Sequence, residues 1–245
     1  MAEASGGSAE ARGGWLLAID TSAETVSLAL APAGEHYGRP GAEITWRAPR
    51  NQTAMLLGQL DNLLRLCGLE TSDLSGVAVA IGPGSFNGLR VGLATAKALC
   101  LAHGLPIFGV GTLDAVAASF EGWGKPVRAL VNAGRSRVVI GDYRIGLHGL
   151  TLAAALEHRR FDELAEGLTE PTLLVGDLPE QVAANYREDP NVILLPPATR
   201  RRRASILIDM VHQRWLEGAA DELASLEPIY VHTGPPQPAM RERAT

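Results

Sequence analysis

Residues 82–99, GPGSFNGLRVGLATAKAL, constrain the fold of this 245-residue chain more than any other stretch. A glycine-rich loop is followed by a predicted helix whose small side chains recur every four residues. Two adjacent faces of that helix carry almost no bulk: Gly88, Gly92 and Ala96 form one, and Ala94, Ala98 and Ala102 form the other. Each helical glycine costs about 1 kcal/mol relative to alanine, which close packing can offset. We therefore expect one face to pack against a sheet and the other against a partner chain; packing within the domain alone is the alternative.

The first half of the chain has the pattern of an α/β lobe. Short apolar or β-branched runs predict strands, and apolar positions spaced three and four apart predict helices. The first three strands form a predicted meander, and the fully apolar fourth is typical of a parallel strand. The predicted strands are residues 15–19, 26–31, 43–47, 77–81 and 106–110, and the predicted helices are residues 52–67, 88–102 and 112–120.

A weaker α/β pattern follows residues 122–126, which fit no period and mark a predicted lobe boundary. The pattern predicts a hairpin from residues 127–131 and 137–143, a helix at 161–168, a strand at 172–176, a helix at 204–216 and a last strand at 227–231. The predicted organisation is a disordered tail at 1–14, an N-terminal lobe at 15–121, a C-terminal lobe at 127–232 and a loose tail at 233–245.

Composition and charge exclude several classes of protein. A net charge of −5 argues against strong nucleic-acid binding by this chain alone. No apolar run approaches the roughly 20 residues that cross a bilayer, and the first 14 residues lack the hydrophobic core of a secretory signal. Cys67 and Cys100 lie among apolar residues, which favours buried free thiols over a disulfide and indicates a cytoplasmic protein. The six histidines are scattered, and no metal-binding spacing is readable.

Two loops are candidate contacts for an anion or a nucleotide. Asp20 and Ser22 lie in a turn between two strands, where hydroxyls and backbone N–H groups could meet a phosphate. A plain β-turn is the alternative for this segment. Gly82, Gly84 and Ser85 lie between a strand and a helix N-terminus, which attracts anions, although their spacing matches no P-loop.

Other conspicuous residues favour contact surfaces over catalysis. Four arginines, Arg200 to Arg203, precede the predicted helix at 204–216. They indicate either an RNA contact or a solvated helix start, and positive charge is unfavourable at a helix N-terminus. Phe86, an apolar residue at the tip of the glycine loop, suits a contact surface better than a phosphate site. No nucleophile and base have a recognisable signature, so no catalytic centre is readable.

Four stretches carry a resemblance to a known family: LLAIDTSAETVSLAL at 16–30, VAVAIGPGSFNGLRVGLATAKAL at 77–99, IFGVGTLDAVA at 107–117 and EPIYV at 227–231. They resemble the TsaB (YeaZ) family, a bacterial subunit of the machinery that makes threonylcarbamoyladenosine in tRNA, beside the anticodon. The resemblance implies an actin/Hsp70/sugar-kinase-like (ASKHA) α/β fold with two lobes of β-β-β-α-β-α-β-α type, the second reduced. It is close over residues 15–120 and loose over 127–232.

The resemblance also implies a non-catalytic subunit that binds and supports TsaD, the catalytic subunit that adds a threonylcarbamoyl group to N6 of adenosine. TsaE, an ATPase, would join the complex, and the chain alone would form a homodimer. Contact with tRNA would come only through the complex, with no membrane role. No cofactor is expected in this chain alone, because the metal and ATP belong to the partner subunits. The alternative is a small-molecule kinase or other phosphotransferase of the same fold that uses Asp20.

By the same resemblance, the helices at 52–67 and 88–102 supply the partner interface. Its implied residues are Gln52, Met55, Leu56, Gln59, Leu63, Phe86, Asn87, Gly88, Arg90, Val91, Gly92, Thr95 and Ala96. Three positions depart from the family's usual pattern: Gln52 replaces His, Asn87 replaces Thr, and Asn132 replaces the Asp that begins the second-lobe hairpin. The missing carboxylate weakens the case for a kinase-like phosphate or metal site between the lobes.

Overall fold

Two mixed β-sheets organise the computed structural model, which describes residues 14–39, 41–48, 52–134, 137–146 and 149–231. The tails predicted at 1–14 and 233–245 lie outside these residues, except for Gly14. The first sheet contains β1 (Trp15–Asp20), β2 (Thr25–Pro32), β3 (Ala42–Arg47), β4 (Leu74–Gly82) and β5 (Ile107–Gly111). Its order is β3-β2-β1-β4-β5, which confirms the antiparallel meander and the parallel fourth strand.

Three helices accompany the first sheet: α1 (Gln52–Leu66), α2 (Phe86–His103) and α3 (Thr112–Ala118). The predicted helices are thereby confirmed, with their ends shifted by a few residues. Leu60 and Leu63 of α1 and Leu93 and Ala96 of α2 join the same buried cluster on one face of the sheet. The three- and four-residue spacing of these apolar positions therefore points both helices at the sheet.

The second sheet begins with the predicted hairpin and has the order β11-β10-β6-β7-β8, with β9 paired to β7. Its strands are β6 (Val127–Gly134), β7 (Arg137–Gly146), β8 (Gly149–Leu152), β9 (Glu157–Arg160), β10 (Thr172–Gly176) and β11 (Val192–Ile193). Two further α-helices are α4 (Glu180–Ala183) and α5 (Ser205–Leu216), and short 3-10 helices lie at Gly34–His36, Thr71–Asp73, Glu121–Trp123 and Ala184–Tyr186. The hairpin, the strand at 172–176 and the helix at 204–216 were all expected.

The helix predicted at 161–168 is wrong, because this segment forms a series of turns. Buried side chains from elsewhere bind its backbone groups. Arg128 donates to the carbonyl oxygens of Leu164 and Glu166, both at 2.8 Å. The Tyr186 hydroxyl donates to the Phe161 carbonyl and accepts from the Leu164 N–H. Long-range hydrogen bonds therefore replace the helical ones that local sequence favours.

Helix α5 follows the second sheet in sequence but packs on the first. Leu207, Ile208 and Val211 join Phe108 of β5 in a buried cluster on the face of the first sheet opposite α1 and α2. Trp215 is also in this cluster, and its Nε1 donates to the Ser75 carbonyl oxygen at 3.0 Å. The chain therefore returns to the first lobe to cover a face that would otherwise be exposed.

The segment after α5 runs back across both lobes. The Asp221 N–H donates to the Ile107 carbonyl at 2.9 Å, and the Ile229 N–H donates to the Ile81 carbonyl at 2.7 Å. Farther on, the Val231 carbonyl lies 3.0 Å from Nε2 of His158 on β9. The strand predicted at 227–231 is wrong, because the segment meets the first sheet through single contacts and forms no ladder. No helix in the described ranges is long and apolar enough to cross a membrane.

Replacing Trp215 by alanine tests the assignment of α5 to the first lobe. We expect Trp215→Ala to lower the free energy of unfolding by about 3–5 kcal/mol, because the side chain is buried and its hydrogen bond is lost. Trp123→Ala is the matched control: that side chain is 51% exposed, so its loss should cost less than about 0.5 kcal/mol. Urea denaturation followed by far-UV circular dichroism measures both, and equal costs would contradict the assignment.

Candidate functional site

The turn that follows β1 is buried and closed by its own hydrogen bonds. Oδ1 of Asp20 accepts from the Ser22 backbone N–H at 2.9 Å and from the Ser22 hydroxyl at 2.5 Å. Thr21 and Ser22 are fully buried, and Asp20 is 4% exposed. An Asx-type turn of this kind satisfies backbone groups that no strand partner reaches.

The glycine-rich loop and the start of α2 pack directly on this turn. The Ser85 N–H donates to the Ser22 carbonyl at 2.7 Å, and the Thr21 hydroxyl donates to the Gly88 carbonyl at 2.7 Å. A Cβ atom at Gly84 would lie 2.3 Å from the Ser22 carbonyl oxygen, which only glycine avoids. The loop therefore holds the turn instead of presenting an open phosphate cradle.

The face of α2 that carries Gly92 and Ala96 packs on this turn and on the first sheet. A Cβ atom at Gly92 would lie 2.2 Å from Oγ1 of Thr21, and Ala96 is fully buried against the first sheet. The second small face of α2, on its outer side, carries Ala94 and Ala98, which are both exposed. The expected division between a sheet-facing side and an open side of the helix is present in the structure.

Arg202 reaches the turn from the segment before α5. Its Nη1 donates to the Ser22 hydroxyl oxygen at 2.5 Å and lies 3.7 Å from Oδ2 of Asp20. Its Nε lies 3.5 Å from Oδ1 of Asp177, which directly follows β10 of the second sheet. Burial alone would lower the pKa of the Arg202 guanidinium, but the charges of Asp177 and Asp20 raise it above its usual value.

A cleft of about 1090 Å³ opens beside these residues, between the two sheets. Ser85, Asn87 and Arg90 of the first lobe line it, together with the second-lobe residues 132–134 and 176–179. Arg200, Arg201 and Arg202 also line the cleft. Glu24 and Asp177 line it as well, and Arg200 and Arg202 are ion-paired with carboxylates, so Arg90 and Arg201 are the exposed cations of the cleft.

A second candidate surface is the outer side of α1 and α2, which pack side by side on the first sheet. Met55 and Leu66 lie three helical turns apart on one side of α1, and they are 38% and 77% exposed. Ala94, Ala98 and Leu101 recur at spacings of four and three on α2, and Leu101 is 73% exposed. Nothing in the described chain covers these apolar side chains, and the polar Gln59 and Asn62 lie between Met55 and Leu66 on the same side of α1.

Comparison with known proteins identifies the family. The family model described as "TsaD: tRNA N6-adenosine threonylcarbamoyltransferase" matches residues 46–200, more than half of the chain. The tRNA threonylcarbamoyladenosine biosynthesis protein TsaB of Escherichia coli K12 is 29% identical over 231 residues, covering 88% of this chain and 94% of the relative. The chain belongs to the TsaB (YeaZ) family. The TsaB protein of Bacillus subtilis 168 is 32% identical over 129 residues, or 53% of this chain and 55% of that protein.

The fold of this TsaB-family chain is similar to that of a solved structure. A crystal structure from Pseudomonas aeruginosa, of a protein described as similar to peptidase YEAZ, superposes with a TM-score of 0.72. It is 24% identical and covers 89% of this chain and all of that one. The two mixed α/β lobes therefore fit an actin-like architecture.

The structure corrects part of the predicted partner interface. Leu56, Leu63, Gly88, Gly92 and Ala96 are buried inside the chain, because they face the first sheet or the Asp20–Ser22 turn. These five positions are therefore not available to a partner in this fold. The remaining predicted residues fall into three groups: Met55, Phe86, Asn87 and Arg90 are exposed, Gln59, Val91 and Thr95 are half-buried, and the side chain of Gln52 lies outside the described residues.

The predicted anion contacts are also partly corrected. Asp20 and Ser22 are buried and committed to each other and to Arg202. Gly82 is buried beneath the segment after α5, where a Cβ atom would lie 2.5 Å from the Ile229 carbonyl oxygen. Only Gly84 and Ser85 of the five predicted residues line the cleft.

The sequence did not reveal that two of the four arginines at 200–203 point into the protein. Arg200 and Arg202 are buried, and Arg200 donates to the Leu178 carbonyl at 3.1 Å and to Oε2 of Glu180 at 2.5 Å. Arg201 and Arg203 are exposed. Buried and exposed side chains therefore alternate along the run, and its unfavourable position before a helix was the available signal.

Replacing Gly92 by alanine tests the packing of α2 against the turn. We expect Gly92→Ala to lower the free energy of unfolding, by about 1–3 kcal/mol, because the added Cβ collides with Thr21. Gly58→Ala in α1 is the matched control: a Cβ there meets nothing within 4 Å, so alanine should stabilise the helix by up to about 1 kcal/mol. Thermal and urea unfolding measure both variants. A Gly92→Ala chain as stable as wild type would show that the face is open.

Proposed function

We propose that the chain is a non-catalytic subunit of the bacterial machinery that adds a threonylcarbamoyl group to N6 of adenosine in tRNA, beside the anticodon. Membership of the TsaB family supports the process, because the relatives from E. coli and B. subtilis are named as biosynthesis proteins for this nucleoside. The partner proposed for the chain is the TsaD-type threonylcarbamoyltransferase, the enzyme that names the matching family model.

The observation that carries the proposal is the uncovered apolar side of α1 and α2. Leucine, methionine and alanine side chains exposed to water on two neighbouring helices are costly for a chain that works alone, and a protein partner commonly covers such a surface. Alanines at Ala94 and Ala98 allow close approach of another helix, while Leu66 and Leu101 supply apolar area to bury. We expect the same surface to form a homodimer when the transferase is absent.

The remaining assignments follow from this role. TsaE, an ATPase, would join the assembly, and the metal and ATP would be held by the partner subunits. Contact with tRNA would come through the complex, which we expect in the cytoplasm. The two lobes would correspond to those of the ASKHA fold, with the second lobe reduced.

No observation favours the kinase alternative. That reading depends on Asp20 as a metal ligand or base, but Asp20 is 4% exposed. One of its carboxylate oxygens accepts two hydrogen bonds from Ser22, and the other lies against Arg202. A buried carboxylate with these partners is not open to a substrate hydroxyl.

A charge placed on the exposed side of α2 tests the proposed interface. Ala98→Glu should weaken binding to the TsaD-type transferase of the same organism at least about tenfold, because it would bury an unpaired carboxylate. Ala155→Glu makes the same change at an exposed site on the second lobe and should bind as wild type does. Size-exclusion chromatography with light scattering and titration calorimetry would measure the complex.

Either of two results would contradict the proposal. One is a wild-type chain that forms no complex with the transferase. The other is an Ala98→Glu chain, folded by circular dichroism, that binds as tightly as Ala155→Glu. Size-exclusion chromatography with light scattering of the same chains without the transferase would report whether the homodimer depends on Ala98.

A further inference from the structure

Three charged side chains from distant parts of the chain meet between the two lobes. Asp20 ends β1 of the first sheet, Asp177 follows β10 of the second, and Arg202 lies in the segment that leads into α5. Arg202 has a side chain only 6% exposed, and it is the only cation ion-paired with both carboxylates in the described chain. The lobes are therefore joined at this point through one guanidinium.

The two carboxylates are arranged alike around it. Oδ1 of Asp20 accepts from Ser22, and Oδ2 of Asp177 accepts from the Asn132 backbone N–H at 3.1 Å. The other oxygen of each carboxylate faces Arg202, at 3.7 Å from Nη1 and 3.5 Å from Nε. Each acid thus has one oxygen fixed within its own lobe and one oxygen directed at the shared cation.

The Arg202 guanidinium is held mainly by the charges of the two carboxylates, because its hydrogen bonds are incomplete. Its direct hydrogen bond is to the Ser22 hydroxyl, while its Nη2 is buried with no acceptor among the described residues. A buried donor without an acceptor is costly, and so is the buried Asp20 carboxylate without a cation, whereas the Asp177 side chain is 19% exposed at the cleft. The arrangement is stable because one positive charge lies between two negative ones.

A metal ion of the kind that the family's catalytic partner is expected to hold does not fit here. Both carboxylate oxygens that could bind a cation already face Arg202. No group of three or more His, Cys, Asp and Glu side chains in the described ranges is placed to hold a metal. Asn132, near the end of β6, adds no third charge.

We propose that the Arg202 guanidinium takes the place of a metal ion in the cleft. It occupies the position that a divalent metal ion would take between Asp20 and Asp177, and it thereby fixes the two lobes in one arrangement. The ion pairs of Arg202 thereby cross-link the two lobes. Without the positive charge, two facing carboxylates would remain, each with a free oxygen, and these are hard ligands for a divalent cation and its bound waters.

Mn²⁺ binding to an Arg202→Met chain tests the proposal, with free Mn²⁺ counted by electron paramagnetic resonance. We expect this variant to gain one Mn²⁺ site, at least about tenfold tighter than any binding by wild type. Arg201→Met is the matched control, because the neighbouring side chain is exposed, and it should gain none. The site should disappear in Arg202→Met/Asp177→Asn. A folded Arg202→Met chain that binds no more Mn²⁺ than Arg201→Met would overturn the proposal.

A second measurement uses only chains that keep Arg202, so it does not depend on the folding of Arg202→Met. Asp20→Asn/Asp177→Asn retains acceptor atoms but removes both negative charges, which leaves the guanidinium buried without a counter-charge. We expect the unfolding equilibrium constant in urea to rise about a hundredfold. Arg202 would have no cross-linking role if the double variant were as stable as wild type.

Discussion

The packing of the β1–β2 turn against the start of α2 is the contact on which the rest of the structure depends. Thr21 and Ser22 bind the backbone of Gly88 and Ser85, so the turn fixes where α2 begins. The direction of α2 then sets which residues face the sheet and which face outward. The same turn receives Arg202, so it also fixes one side of the interlobe cleft.

Helix α2 therefore has two roles on two sides. Its inner side needs glycine and alanine because the turn and the sheet leave no room for larger side chains. Its outer side is small and apolar without any such need within the chain, and this difference supports a partner there. The interlobe cleft is bridged by an ion-paired arginine.

Local sequence predicted the first lobe well, because its strands are apolar runs and its helices have a regular apolar period. Prediction from local sequence failed where side chains distant in the sequence bind backbone groups that would otherwise form local hydrogen bonds. Arg128 and Tyr186 hold residues 161–168 as turns, and a helix would need the same carbonyl groups. The direction of the arginine run was equally hidden, because Asp20 and Asp177 are brought to Arg202 only by the tertiary fold. Small residues on α2 were recognised as a packing signal, but spacing alone does not say which of two small faces the core takes.

Hydrogen–deuterium exchange of the chain, alone and mixed with the TsaD-type transferase of the same organism, tests the central claim most directly. The claim is that the function lies on the outer side of α1 and α2 and not in the cleft. We predict slower exchange on complex formation in peptides from Gln52–Leu66 and Phe86–His103, with no change at residues 132–134 and 176–179 of the cleft. Protection confined to the cleft segments, with both helices unchanged, would contradict the claim.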